Sequence, residues 1–102
     1  MSARIVWSPL ALRRAEEAAD FIARDDPAAA ARWARGLFDA VKSLSAHPRR
    51  GRVVPEQSRE EVRELLYGDY RLIYRVSSRR VEVLTLRHGR RRFDPGEAGG
   101  EE

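Results

Sequence analysis

Hydrophobic and polar positions alternate across residues 64–88 in a way that predicts three short strands. Gly68-Asp69 and Ser77-Ser78 separate three runs rich in Leu, Tyr and β-branched residues, and turn residues between such runs are typical of tight hairpins. The residues of the middle run expected on one face are Tyr70, Leu72, Tyr74 and Val76, and those on the other are Arg71, Ile73 and Arg75. The segment therefore predicts an antiparallel meander with an apolar face and a face carrying guanidinium groups.

Helical periodicity dominates the first half of the chain. The apolar run 4–7 predicts a first strand, and Ser8-Pro9 supplies an N-cap followed by a favourable first helical residue. Asp26-Pro27 repeats that signal, so the first helix is expected to end near Arg24 and the second to end before Pro48. Two helices joined by so short a link are expected to fold back on each other as an antiparallel hairpin.

The order of predicted elements is strand, helix, helix and three strands. This order indicates an α+β fold, with the helical hairpin packed on one face of a single-layer antiparallel sheet. Residues 48–52 are expected to form a loop and residues 53–59 an irregular connection. Residues 1–93 form one predicted domain, and residues 94–102 a flexible acidic tail whose Gly, Pro and Glu content cannot build a core.

Composition narrows the functional classes. The chain has 102 residues and no cysteine, which excludes disulfides and thiolate metal sites and favours the cytoplasm. No apolar run has the length of a membrane span, and no metal site or cofactor is expected.

The charge is unevenly distributed. Nineteen of the twenty basic residues are Arg, and eight arginines face a single acid, Glu82, between Arg71 and Phe93. A dense basic run is usually a solvated face, but this one lies on a sheet expected to have only one covered side. It therefore favours a surface for phosphate or for an acidic partner.

Several motifs together resemble the RelE/ParE toxin superfamily over residues 4–93. They are Trp7-Ser8-Pro9, Asp26-Pro27-Ala28-Ala29, His47-Pro48-Arg49-Arg50-Gly51, Arg63-Glu64-Leu65, residues 68–76, and residues 86–91. The resemblance implies a cytoplasmic bacterial toxin that forms a hetero-oligomer with a cognate antitoxin. The Trp-Ser-Pro opening and the long helical hairpin are more similar to ParE-type members, which poison DNA gyrase, than to RelE-type members, which cut messenger RNA on ribosomes.

The resemblance also implies candidate site residues. As a ribonuclease, the chain would use Arg71 as phosphate clamp, His88 as acid or base, Arg91 as a further cation and Glu64 as a base. This set is incomplete, since no Tyr follows His88, and His88 is also interpretable as a strand-end histidine bonded to backbone. As a binding protein, the chain would contact its target or phosphates through Arg71, Arg75, Arg87, Arg90, Arg91 and Arg92. A gyrase poison is favoured; a RelE-type nuclease and a non-toxic nucleic-acid-binding relative stay open as alternatives.

Overall fold

The structure is a computed structural model that describes residues 2–89. Two helices and five strands follow one another along the chain, with a short 3₁₀ turn at Ser43–Ser45 after the second helix. The elements are β1 (Arg4–Trp7), α1 (Pro9–Ala23), α2 (Pro27–Lys42), β2 (Arg52–Val53), β3 (Val62–Tyr67), β4 (Tyr70–Ser77) and β5 (Arg80–His88). Arg90, Arg91, Arg92 and the predicted tail 94–102 lie outside the described residues.

Both helices begin at the predicted caps. Ser8 Oγ accepts the backbone N–H of Ala11 at 3.0 Å, and Asp26 Oδ1 accepts those of Ala28 and Ala29 at 3.1 Å. Each cap satisfies N–H groups that the first helical turn leaves without a partner. Ser8 Oγ also donates to the carbonyl of Leu84 at 2.8 Å, so the cap ties the start of α1 to the sheet.

The strands form one sheet in the order β1-β5-β4-β3-β2. The α+β fold, with a helical hairpin on one face of a single sheet, is confirmed, and β2 to β5 are antiparallel as expected. The sheet is nevertheless mixed, because β1 pairs with β5 in parallel. This register sets Ile5 beside Val81 and Trp7 beside Val83, which places these two apolar residues of β1 on the face that the helices cover.

The main core lies between this helical face and the helices. Its members from the sheet include Leu72, Tyr74, Val81, Val83 and Leu86, and those from the helices include Ala11, Ala15, Ala18, Leu37 and Val41. A register shift at Ile73/Tyr74 changes the alternation of β5, so Val83 and Leu86 both belong to the main core although three positions separate them. The bulge is the physical reason, because one extra residue on one strand reverses which face the following residues occupy.

The opposite face of the sheet, called here the second face, also has a small core. Val54 packs there with Val62, Ile73 and Leu84, and all four are fully buried. The connection after β2 therefore covers the middle of the second face. The expectation that only one side of the sheet is covered is wrong. The predicted irregular connection 53–59 contains Val54, which is buried against the second face.

Tyr74 fixes the loop that leads into β2. Its hydroxyl donates to the carbonyl of Pro48 at 2.8 Å and accepts the backbone N–H of Gly51 at 2.9 Å. A Cβ at Gly51 would lie 2.4 Å from the carbonyl oxygen of Glu64 and 2.7 Å from the Tyr74 hydroxyl. Only glycine fits this close approach, which holds the loop against the sheet.

Within residues 2–89, neither helix has the length and apolar character needed to cross a lipid bilayer.

Candidate functional site

A cleft of about 500 Å³ opens at the end of the sheet where β3 turns into β4 and β5 ends. Arg52, Glu56 and Arg71 line it together with Asp69 and His88. Two of the predicted site residues, Arg71 and His88, therefore lie at one opening. The cleft is lined by both basic and acidic side chains. Which of them could bind a ligand therefore depends on which already form ion pairs with one another.

Arg71 is held by two carboxylates. Its terminal nitrogens donate to both oxygens of Glu56, at 3.0 and 2.9 Å, and Nε donates to Glu64 at 2.6 Å. The side chain is buried, and the hydrogen bonds to Glu56 raise the pKa of Arg71 further above its high ordinary value, against the opposing effect of burial. A guanidinium bound on two sides to carboxylates has little donor capacity left for a phosphate.

Glu64 is the second centre of this group. It is only 1% exposed, and it accepts hydrogen bonds from Arg71 and from Nε of Arg52. We call Arg52, Glu56, Glu64 and Arg71 the paired network. Two arginines face two glutamates in it, so it is formally neutral, and a carboxylate so enclosed is poorly placed to take a proton from a substrate hydroxyl.

The other predicted arginines of the second face have different surroundings. Arg75 donates to Glu82 at 2.9 Å, with both side chains about a quarter exposed. Arg87 is half-buried and lies beside Arg71 in the pairing of β4 with β5. Arg75 is thus largely committed to a structural ion pair, and Arg87 extends the row of guanidinium groups that Arg71 begins.

His88 leaves the sheet on the helical face, away from the paired network. It is the strand neighbour of Tyr70, and the two ring centroids lie 4.9 Å apart in an edge-to-face arrangement. Arg71 and Arg87 are the next pair along the same strands, so their side chains point to the opposite face. The structure brings His88 and Arg71 to the same cleft but from opposite sides of the sheet.

The site residues named from the sequence leave out a second group of basic residues, although Arg79 and Arg80 belong to the basic run noted above. Arg79 and Arg80 are exposed at the turn between β4 and β5, and Arg4 is the strand neighbour of Arg80. Residues of the loop before β2 line a groove with Arg79. We call this set the turn cluster, and its members are Arg4, His47, Arg49, Arg50, Arg79 and Arg80. One sequence feature could have indicated the turn cluster: the β4–β5 turn has Arg79 at a position where tight turns prefer Gly or Asn.

The helical hairpin also presents apolar side chains to solvent. Phe21 is 66% exposed and Phe38 is 45% exposed, while Trp7 touches Phe38 with ring centroids 4.8 Å apart. Other aromatic residues bind the hairpin to the sheet: Tyr67 donates to the carbonyl of Trp33 at 2.8 Å. Tyr67 and Tyr70 therefore pack against Trp33 of α2, while the exposed phenylalanines are available to a partner.

Comparison with known proteins agrees with this architecture. Residues 5–93 match the family model described as the ParE toxin of the type II toxin–antitoxin system parDE. The chain is 40% identical over 92 residues to "Putative toxin Y4kP" of Sinorhizobium fredii, with 88% of this chain and 92% of that protein covered.

Two solved structures share the fold. A chain of a chromosomal ParDE toxin–antitoxin system from P. aeruginosa is similar with a TM-score of 0.71 and 18% identity, covering 86% of this chain and 97% of that one. A chain of the toxin–antitoxin complex RelBE2 from Mycobacterium tuberculosis is similar with a TM-score of 0.55 and 25% identity, covering 86% and 99%. The family match and the curated relative both span most of the chain, and the chain belongs to the ParE toxin family of type II toxin–antitoxin systems.

Proposed function

We propose that this toxin arrests bacterial growth by binding and poisoning DNA gyrase in the cytoplasm, and that it does not cleave RNA. The observation that carries the proposal is the state of Arg71, whose guanidinium is bound to Glu56 and Glu64. Cleavage of RNA through its 2′-hydroxyl needs a base, an acid and cations for the crowded phosphorane. The predicted clamp and the predicted base of that reaction are bound to each other.

Inhibition by binding requires no acid or base, only an exposed surface that complements the target. The described residues include exposed aromatic groups on the helical hairpin and exposed arginines at the β4–β5 turn. The match to the ParE family model also favours gyrase over the ribosome. These features support a toxin that inhibits its target by occupying it.

The proposal includes a cognate antitoxin. Both similar structures come from toxin–antitoxin systems, and the exposed Phe21 and Phe38 suit a segment that orders on contact and lies across the hairpin. The basic surface favours an acidic composition for part of that segment. The toxin would then form a hetero-oligomer with its antitoxin.

The target is tested with purified protein in two reactions: supercoiling of relaxed plasmid by gyrase, and cleavage of messenger RNA on translating ribosomes. We expect loss of supercoiling and intact messenger. His88→Ala should retain most of the inhibition, because a residue that transfers no proton contributes only local contacts. Ribosome-dependent cleavage that His88→Ala abolishes, with supercoiling unaffected, would replace this proposal by a RelE-type nuclease.

The antitoxin is tested by co-expression with the small protein encoded beside the toxin. We expect the two to purify together and growth to be restored. If this protein is expressed without the antitoxin, is folded and abundant, and leaves growth normal, it is a non-toxic relative that has kept the fold.

A further inference from the structure

The centre of the turn cluster has no acidic partners among residues 2–89, in contrast to the arginines of the paired network. Within residues 2–89, Arg4, Arg79 and Arg80 have no carboxylate at ion-pair distance. At its margin, Arg49 reaches Glu60 at 3.5 Å, but both side chains are mostly exposed. Such an exposed pair is weak and exchanges readily with solvent ions.

Two features of the cluster are unfavourable for the isolated fold. Arg4 and Arg80 are direct neighbours on adjacent parallel strands, so two side chains of like charge leave the same face from backbone positions about 5 Å apart. The nearest acid along that face, Glu82, is already bound by Arg75. A bound anion between Arg4 and Arg80 would relieve this repulsion.

The second feature is the backbone of Arg79. It has φ 60° and is the only non-glycine residue with a positive φ within residues 2–89. The left-handed region suits Gly or Asn, and a long side chain there is uncommon. In the two-residue β3–β4 turn the positive φ lies instead at the first turn residue, and that residue is a glycine, Gly68, with φ 56°. An unfavourable backbone conformation kept for an exposed arginine points to a use for its charge.

The shape of the cluster indicates the class of ligand. His47, Arg49, Arg50 and Arg79 line one open groove, and Arg79 connects it to the Arg4–Arg80 pair through the hydrogen bond from Arg4 N–H to the Arg79 carbonyl at 2.8 Å. The groove lacks the enclosed pocket and aromatic walls that a single base or nucleotide would need. A row of guanidinium groups on an open surface suits consecutive phosphates of a nucleic-acid backbone.

We infer that the turn cluster binds the phosphate backbone of duplex DNA without regard to sequence. The inference rests on the proposed function to the extent that gyrase presents the toxin with bound duplex DNA. The cluster then contacts that DNA while the helical hairpin contacts protein. It lies at the end of β4 opposite the cleft with Arg71 and His88, so the two sites are separate.

The test is an anisotropy titration of a short labelled DNA duplex with the intact toxin over a series of salt concentrations. Each phosphate neutralised contributes about −0.9 to the slope of log K against log salt. The double variant Arg79→Asn/Arg80→Gln should reduce the magnitude of this slope by roughly 2 and weaken binding about equally for unrelated sequences. Asn is chosen at position 79 because it tolerates the left-handed conformation, so the turn is retained.

The matched control is Arg32→Gln/Arg35→Gln, which removes two exposed arginines from α2 and the same net charge. The inference is supported if the cluster variant loses slope and the control does not. It is overturned if both variants, each shown to be folded by thermal unfolding, change the slope equally or not at all. It is also overturned if the cluster variant keeps its DNA affinity but loses binding to poly-L-glutamate, since the surface would then be one for acidic protein.

Supercoiling by gyrase is measured separately on the wild-type toxin. Slope loss specific to the cluster variant, together with unaffected supercoiling, would refute gyrase as the target and leave the DNA-binding surface standing. If the wild-type toxin inhibits supercoiling but the cluster variant shows no specific loss of slope, the DNA-binding surface is refuted and gyrase remains the proposed target.

Discussion

The paired network and the turn cluster use the same residue type for opposite purposes. In the network, Arg71 is buried and bound to Glu56 and Glu64. In the cluster, Arg79 and Arg80 are exposed and no acid reaches them within residues 2–89. A basic run in a sequence therefore does not by itself identify a binding surface, because the fold neutralises some of its guanidinium groups and leaves others exposed.

The two regions also differ in what they do for stability. A buried charge that loses its partner carries a large desolvation penalty, whereas an exposed charge remains hydrated. The network therefore fastens the segment around Glu56 to the second face of the sheet. The cluster adds like-charge repulsion between Arg4 and Arg80 and an unfavourable backbone at Arg79, so it contributes to binding at some cost to the fold.

The largest predicted effect is at Arg71. Replacing it by Ala removes both the Glu56 and the Glu64 ion pairs and leaves a fully buried carboxylate with Arg52 alone. We expect the free energy of unfolding in urea to fall by about 3 kcal/mol. Arg80→Ala is the matched change in the cluster and should alter stability by less than about 0.5 kcal/mol. Equal effects of the two substitutions would remove the distinction between the regions.

Tyr74 gives the next largest effect, because it anchors the loop that carries Arg49 and Arg50. Tyr74→Phe deletes the hydrogen bonds to Pro48 and Gly51 and leaves the half-buried Pro48 carbonyl and the buried Gly51 N–H without these partners, which we expect to cost about 2 kcal/mol. Denaturant unfolding at neutral pH measures this loss. A change within error would mean that the loop is held by other contacts.

The same tyrosine gives a pH dependence. Burial raises the pKa of Tyr74, so the unfolded chain releases the phenolic proton first as the pH rises. The stability due to the neutral phenol is present below the unfolded-state pKa of about 10 and is lost progressively above it. Because burial also raises the pKa values of Tyr67 and Tyr70, Tyr74→Phe should make the alkaline decline shallower without abolishing it. An unchanged decline would show that Tyr74 does not contribute.

The two β-turns provide a smaller and more direct comparison. Gly68 and Arg79 both have positive φ, 56° and 60°. Gly68→Ala should destabilise by about 1 kcal/mol through the backbone alone, since no atom beyond Gly68 and its two chain neighbours lies within 4 Å of the added Cβ. Thermal unfolding is a sufficient measurement. An unaffected midpoint would show that the β3–β4 turn tolerates a side chain by changing its conformation.

The smallest effect has the opposite sign. Arg79→Asn should stabilise the fold by about 0.5 kcal/mol, because Asn accepts the left-handed conformation better than Arg does. The same variant should bind DNA more weakly. A gain in stability combined with a loss of binding is what a trade-off between stability and function predicts, and a loss of both would indicate that Arg79 has a structural role.

Much of the fold was predictable because its signals are local. The caps at Ser8 and Asp26 set the starts of both helices, and the bounds of β3, β4 and β5 follow the turn residues closely. The parallel pairing of β1 with β5 was not predictable in this way, because Arg4 and Arg80 are far apart in sequence. The two-residue β2 is too short to show an alternation of its own.

The candidate site was less predictable for the same physical reason. Arg71 could be identified as a guanidinium on the second face, but its bidentate partner Glu56 lies in a connection with no periodic pattern. Whether Arg71 is bound or available depends on its contact with Glu56 as well as on its contact with Glu64. The importance of Arg79 depends on a backbone angle, which the sequence alone does not give. Arg90, Arg91 and Arg92, outside the described residues, remain predictions for target binding.

The arginines of the turn cluster act on the target, while those of the paired network hold the fold. This claim is tested by the toxin concentration needed for half-inhibition of gyrase supercoiling, compared between the wild type and Arg79→Asn/Arg80→Gln at equal folded concentration. Losing two phosphate contacts should raise that concentration roughly tenfold or more at low salt, with a smaller ratio as salt increases. The same half-inhibiting concentration for both proteins at every salt concentration would contradict the claim.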